Sequence, residues 1–151
     1  VVAETVTGQS FEQLLQERLL DPLDLNTTVE MTGIVLPPPA VTGYVFDPDL
    51  NVFEEVNVNA TALSSAGGMA GSFADLRSWG AALVLGSLLP ADLQAQRFLS
   101  TPATNGPIYD TYGLGVGEIR GWWGHTGDAL GFQACVFTEP ATGSQIVIML
   151  N

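Results

Sequence analysis

The end of the chain constrains the fold most. Gln145-Ile146-Val147-Ile148-Met149-Leu150 is an almost unbroken apolar run rich in β-branched residues. It is too short for an ordinary helix and reads as a central strand covered on both faces. Residues 133–138 form a second β-rich run, and Pro140-Ala141-Thr142-Gly143 between the two is a hairpin turn. Upstream, residues 112–117 and 122–132 are rich in Gly and aromatics and read as further strands. The segment 108–151 is therefore expected to be an antiparallel β meander. A strand buried on both faces needs helices above and below the sheet. This chain supplies only part of that cover, so the reading expects further sequence on both sides.

Helical signals lie before the meander. Val1, Val2 and Val6 read as the end of a helix closed by Gly8, a residue suited to a left-handed cap. Ser10 is a good N-cap for a second helix carrying Phe11, Leu14, Leu15 and Leu19 at helical spacing, and Pro22 ends it. Residues 1–25 are thus expected to be helical. Residues 26–65 read as an irregular cleft loop. Pro37-Pro38-Pro39 forbids regular helix there, and Tyr44-Val45-Phe46 and Val52-Phe53 can pair about the Asp47-Pro48-Asp49 turn. Residues 66–100 read as helical again. Ser72 caps a helix over 73–85 that buries Phe73, Leu76, Trp79 and Leu83, Gly86 stops it, and a short helix near 91–99 precedes a loop from Pro102 to Pro107. The class is α/β of the α+β type: an antiparallel sheet flanked by helices.

Charge and composition remove several functions. Four Arg and no Lys stand against sixteen acids, a net charge of −12. A nucleic-acid partner needs a basic face to neutralise phosphates, and none can be built here. Cys135 is the sole cysteine and His125 the sole histidine. A multi-histidine metal site within the chain is excluded, and no EF-hand spacing occurs, so neither metal nor cofactor is expected. Apolar runs are broken well before the length of a membrane span.

Five short stretches, in order, resemble the serine β-lactamase and penicillin-binding-protein family. They are Glu4-Thr5-Val6-Thr7-Gly8-Gln9-Ser10-Phe11 with Asp21-Pro22-Leu23, then Ala66-Gly67-Gly68-Met69-Ala70-Gly71-Ser72-Phe73-Ala74-Asp75-Leu76, Tyr112-Gly113-Leu114-Gly115, Gly124-His125-Thr126-Gly127, and Ile148-Met149-Leu150-Asn151. The fourth looks like the family's third catalytic box, Lys-Thr-Gly or His-Thr-Gly. The resemblance implies a β-lactamase-like fold, incomplete without its N-terminal part, with the active site between a sheet and a mostly helical region. It also implies acyl transfer through a serine activated by a lysine three residues on and by a tyrosine in a second box. Neither box falls in this chain.

On the same resemblance, His125, Thr126 and Gly127 form the catalytic strand. His125 faces the cleft, Thr126 hydrogen-bonds a substrate carboxylate, and Gly127 keeps the strand bare so that substrate can lie along it. The N–H of Asp128 matches the strand's share of an oxyanion hole. Asp128, Tyr44 and Trp123 are the expected substrate contacts. Asp128 departs from the family's small or hydroxyl residue. Its carboxylate disfavours an anionic substrate and turns the expectation toward esterase-like chemistry on uncharged acyl groups. The implied substrate is a small molecule, a peptidoglycan peptide or an ester, the implied partner is an N-terminal segment carrying Ser-x-x-Lys, and the implied location is secreted or in the cell envelope. The alternative is a catalytically silent fragment or pseudoenzyme that acts as a binding or structural unit with its N-terminal half.

Overall fold

The computed structural model describes residues 2–33, 36–56, 59–99, 101–102, 108–129 and 131–151. The expected 102–107 loop lies, from 103 on, outside the described residues. Helix α1 (Val2–Thr7) closes at Gly8, whose φ of +72° only glycine adopts freely and whose N–H donates to the Glu4 carbonyl at 2.8 Å. Ser10 caps α2 (Phe11–Leu15) with a reciprocal capping box. Its hydroxyl accepts from the Gln13 N–H while the Gln13 side chain accepts from the Ser10 N–H. The chain then winds through a π turn (Gln16–Leu20) and a 3-10 turn (Asp21–Leu23) that holds Pro22. Leu15, Leu20 and Leu25 form a buried cluster, and Trp79 reaches over from the next helix to pack on it.

The middle segment holds short strands. β1 (Val29–Glu30) pairs with β4 (Met69–Ala70), and β2 (Gly43–Asp47) pairs with β3 (Val52–Val56) as a separate hairpin. Asp47 shapes the hairpin turn, its carboxylate accepting from the N–H groups of Asp49 and Leu50. Helix α3 (Phe73–Leu85) is capped by Ser72 and ends at Gly86 in the left-handed region, and α4 (Ala91–Arg97) follows. The stripe of α3 differs from the expectation in one residue: Phe73 is 54% exposed and Asp75 only 9%. The reason is polar. The Asp75 carboxylate accepts from the Thr27 N–H, the Thr27 hydroxyl and the Thr28 hydroxyl, all within 2.9 Å, so the first turn of α3 is rotated onto the loop after α2 rather than onto the core.

The remaining strands are β5 (Thr101–Pro102), β6 (Thr111–Tyr112), β7 (Gly117–Ile119), β8 (Trp122–Ala129), β9 (Phe132–Thr138) and β10 (Gln145–Leu150). They form one antiparallel sheet in the order β10-β9-β8-β7-β6-β5, a meander in which each strand pairs with its neighbour in sequence. α3 packs on one face. Gly80 allows the approach, because a Cβ there would lie 2.1 Å from the Val136 side chain, and the Thr138 hydroxyl donates to the Gly80 carbonyl at 3.0 Å. Leu83, Val84 and Val116 form the core of this interface, edged by Phe98 and Trp123. Among the described residues β10 pairs with β9 alone, and Ile146, Ile148, Met149 and Leu150 are about half exposed. An apolar run reports that both faces suit burial, not which element covers the second face.

Candidate functional site

Strand β8 carries the His-Thr-Gly motif, and its pairing changes inside the motif. β7 pairs with β8 only over residues 122–124, whereas β9 pairs with it from Trp123 to Ala129. From His125 onward the outer edge of β8 therefore has no strand partner among the described residues. The Thr126 N–H points to that edge, because it donates to the Tyr109 hydroxyl at 2.9 Å instead of to β9. Antiparallel pairs alternate in hydrogen bonding, so the Asp128 N–H, two residues on, points the same way. Gly127 lies between them, and a Cβ there would meet nothing within 4 Å.

Two tyrosines complete the site. The Tyr112 hydroxyl lies 2.6 Å from His125 Nε2, and His125 Nδ1 bonds the Thr126 carbonyl. A carbonyl only accepts, so Nδ1 carries a hydrogen, and in the neutral ring Nε2 accepts from the Tyr112 O–H. Burial pushes the Tyr112 phenol above its ordinary range, and Tyr109 beside it adds to the rise, so Tyr112 stays a donor at neutral pH. The Tyr109 hydroxyl also shares a hydrogen bond of 2.8 Å with Thr126 Oγ1. Its ring lies 5.3 Å from Tyr112 and 5.7 Å from His125, centre to centre. Space for that ring is made by Gly117, where a Cβ would sit 2.2 Å from Tyr109 Cδ1.

Next to Thr126 is an open groove of about 300 Å³, lined by Ile108, Thr126, Asp128, Cys135, Ile148 and Leu150 among others. Thr126, Cys135 and Ile148 sit side by side across β8, β9 and β10, which explains the mainly apolar wall. Asp128 brings the groove's one charged group, with Gln133 donating to its carboxylate at 3.4 Å. No group of three or more metal-ligating side chains occurs among the described residues.

Of the expected site residues, His125, Thr126, Gly127 and Asp128 lie together on the open edge. Trp123 does not join them. It packs edge-on against Phe98 at 4.8 Å, beside the Leu83, Val84 and Val116 core. Tyr44 sits on β2, whose backbone passes the β8–β9 turn at Gly131, beyond Asp128. The sequence reading did not place Tyr109 in the site, and it met Tyr112 only as part of a Gly-rich run. Their role depends on the β6–β7–β8 register, which brings Gly117 opposite both Tyr112 and Gly124.

Comparison with known proteins agrees with the fold. The family model described as Beta-lactamase matches residues 1–151. No curated protein matches the chain. Among solved structures, a D-stereospecific amidohydrolase from Streptomyces sp. is 25% identical, with a TM-score of 0.85 over 99% of this chain and 46% of its own. D-amino acid amidase from Ochrobactrum anthropi SV3, complexed with L-phenylalanine, is 19% identical with a TM-score of 0.87, covering 99% of this chain and 48% of its own. The octameric penicillin-binding protein homologue from Pyrococcus abyssi is 17% identical with a TM-score of 0.84, over 99% and 35%. The chain spans about half the length of these proteins or less.

Proposed function

Since this chain belongs to the beta-lactamase family, we propose that it forms the strand side of the active site in a serine acyl hydrolase. The observation that carries the reading is the outer edge of β8, where the motif His125-Thr126-Gly127 and the Asp128 N–H have no strand partner among the described residues and lie beside an apolar groove. The mixed fold of helices on an antiparallel sheet and the amidohydrolase and penicillin-binding-protein neighbours support the same chemistry.

The nucleophile lies elsewhere in the protein. This chain has no lysine and so cannot hold a Ser-x-x-Lys box. In the proposed reaction, the serine oxygen adds to an acyl carbonyl carbon and its proton passes to the base. Collapse breaks the bond to an amine or alcohol, which takes that proton and leaves. Water then adds to the acyl ester, releasing the carboxylic acid and restoring the serine. The substrate's extended backbone lies along β8 as an added strand. The Asp128 N–H donates to the carbonyl oxygen as negative charge develops on it, a contribution that hydrogen-bond donors aimed at an oxyanion make effectively. His125, with Nδ1 tied to the Thr126 carbonyl, keeps the Tyr112 hydroxyl at the cleft.

The test is turnover of a p-nitrophenyl ester, an amide and nitrocefin by the full-length protein, with intact mass read on the quenched reaction. The expected result is hydrolysis of at least one and an acyl adduct on a serine outside residues 1–151. A folded protein that turns over none and takes no fluorescent-penicillin label refutes the proposal and favours a silent binding unit.

A further inference from the structure

Resting on the acyl-hydrolase reading, we infer that Tyr109 is a specificity-determining residue that closes the strand edge at Thr126 and selects substrates whose leaving group carries no carboxylate. Thr126 offers two donors toward the cleft, its N–H and its hydroxyl. The N–H donates to the Tyr109 hydroxyl at 2.9 Å, and the two hydroxyls share one hydrogen bond of 2.8 Å. A substrate carboxylate would need those same donors. The next candidate, His125, has Nε2 on Tyr112 and Nδ1 on the Thr126 carbonyl.

The electrostatics point the same way. A leaving-group carboxylate entering a partly apolar groove needs a cation or several donors to replace its hydration. This side of the cleft brings no lysine and only four arginines, of which Arg18 and Arg77 lie in the π turn after α2 and in α3. Among the described residues, Arg97 donates to the Leu83 carbonyl and the Gln94 side chain, and Arg120 sits in the β7–β8 turn, at the opposite end of β8 from the open edge. The charge that does line the groove is the Asp128 carboxylate, of the wrong sign. The other walls, Ile108, Cys135, Ile148 and Leu150, suit an uncharged group. The position of Tyr109 is built in, because Gly117 is bare where the ring lies. Among the described residues, the first free backbone donor on the edge is therefore the Asp128 N–H. The substrate register begins there, with ammonia, a simple amine or an alcohol as the leaving group.

The experiment uses the full-length protein and two amide substrates with the same acyl group, one releasing ammonia and the other D-alanine. Wild type is expected to favour the ammonia-releasing substrate in kcat/KM. Tyr109→Phe removes the competing hydroxyl and keeps the ring. It should shift the ratio toward the D-alanine-releasing substrate by about tenfold, the scale of one or two freed hydrogen bonds. The change should fall mainly in KM. Gly117→Ala should shift the ratio the same way by a different route, since its Cβ displaces the Tyr109 ring while the hydroxyl remains. A ratio unmoved by both variants, or a wild type that prefers the D-alanine-releasing substrate, overturns the inference.

A binding readout separates this failure from failure of the acyl-hydrolase reading. Free D-alanine is titrated while the Thr126 amide is followed by NMR, which needs no turnover. The amide should stay still in wild type and move in Tyr109→Phe. Saturable movement in wild type overturns the inference whether or not the protein is a catalyst. Absence of any acyl adduct strikes the hydrolase reading alone.

Discussion

Residues 122–124 and 125–128 belong to one strand but differ in what stands beside them. The first three all pair with β7, Trp123 and Gly124 pair with β9 as well, and Trp123 reaches the core under α3. The next four are held on one edge only, and a tyrosine hydroxyl stands where a strand would. Two glycines mark the two regimes. At Gly124 a Cβ would lie 1.9 Å from the Val136 carbonyl oxygen and 2.8 Å from the Phe137 Cα, both backbone atoms that cannot move aside cheaply. At Gly127, three residues on, a Cβ would meet nothing. The same residue type thus serves close packing in one half of β8 and access in the other.

The largest effect that tests the contrast is at Gly124. Gly124→Val puts a branched side chain into backbone and should cost more than about 3 kcal/mol, the scale of severe overpacking. Chemical denaturation should show either a large fall in midpoint or no cooperative transition. A loss below about 1 kcal/mol would show that the sheet yields at this point, and the claim of a rigid paired half would fail.

A middle-sized effect separates two aspartates, one on the open edge of β8 and one in the first turn of α3. Among the described residues, Asp128 on the open edge has one side-chain donor, Gln133 at 3.4 Å. Asp75 is fixed by Thr27, Thr28 and Ser72, and it ties the start of α3 to the loop after α2. Burial pushes the Asp75 carboxyl up, but the hydrogen bonds from Thr27 and Thr28 outweigh it and hold its pKa below the ordinary 3.8. A depressed native pKa stabilises the fold at pH values above 3.8 and ceases to do so as the pH falls through and below it. Asp75→Asn should cost about 2 kcal/mol at pH 7, the scale of hydrogen bonds to a charged acceptor, and the difference from wild type should shrink at pH 3. Denaturant midpoints at both pH values check this. An equal difference at both would remove the charge from the explanation.

Much of the scaffold was legible in the sequence because its signals are local. Ser10 and Ser72 as caps, Gly8 and Gly86 as stops, and the 140–143 turn each rest on a few neighbouring residues, and the structure has all of them. The family likeness of His125-Thr126-Gly127 was legible for the same reason. What escaped depends on contacts far apart in sequence. Phe73 yields the inner face of α3 to Asp75 because threonines 47 and 48 residues earlier bind the carboxylate. Tyr109 enters the site because strand register sets Gly117 beneath its ring, 17 residues before its partner Thr126. Periodicity carries no information about either.

The smallest expected change in stability is at Gly127, where the comparison with Gly124 is most direct. Gly127→Ala adds one methyl group in open space at a φ that is not left-handed. Stability should stay within about 0.5 kcal/mol of wild type, with any shift toward higher stability, because alanine has less unfolded-state freedom to lose. If Gly127 is bare for the sake of substrate, the same methyl stands against a chain laid along the edge of β8. The kcat/KM for an uncharged ester or amide should then fall about tenfold or more while the denaturation midpoint holds. The pairing of these two measurements makes the variant decisive. A drop in stability of about 2 kcal/mol would mean that another part of the protein already fills the space above Gly127. An unchanged kcat/KM in a stable variant would mean that substrate does not lie along this edge, and the boundary drawn within β8 would be one of packing alone.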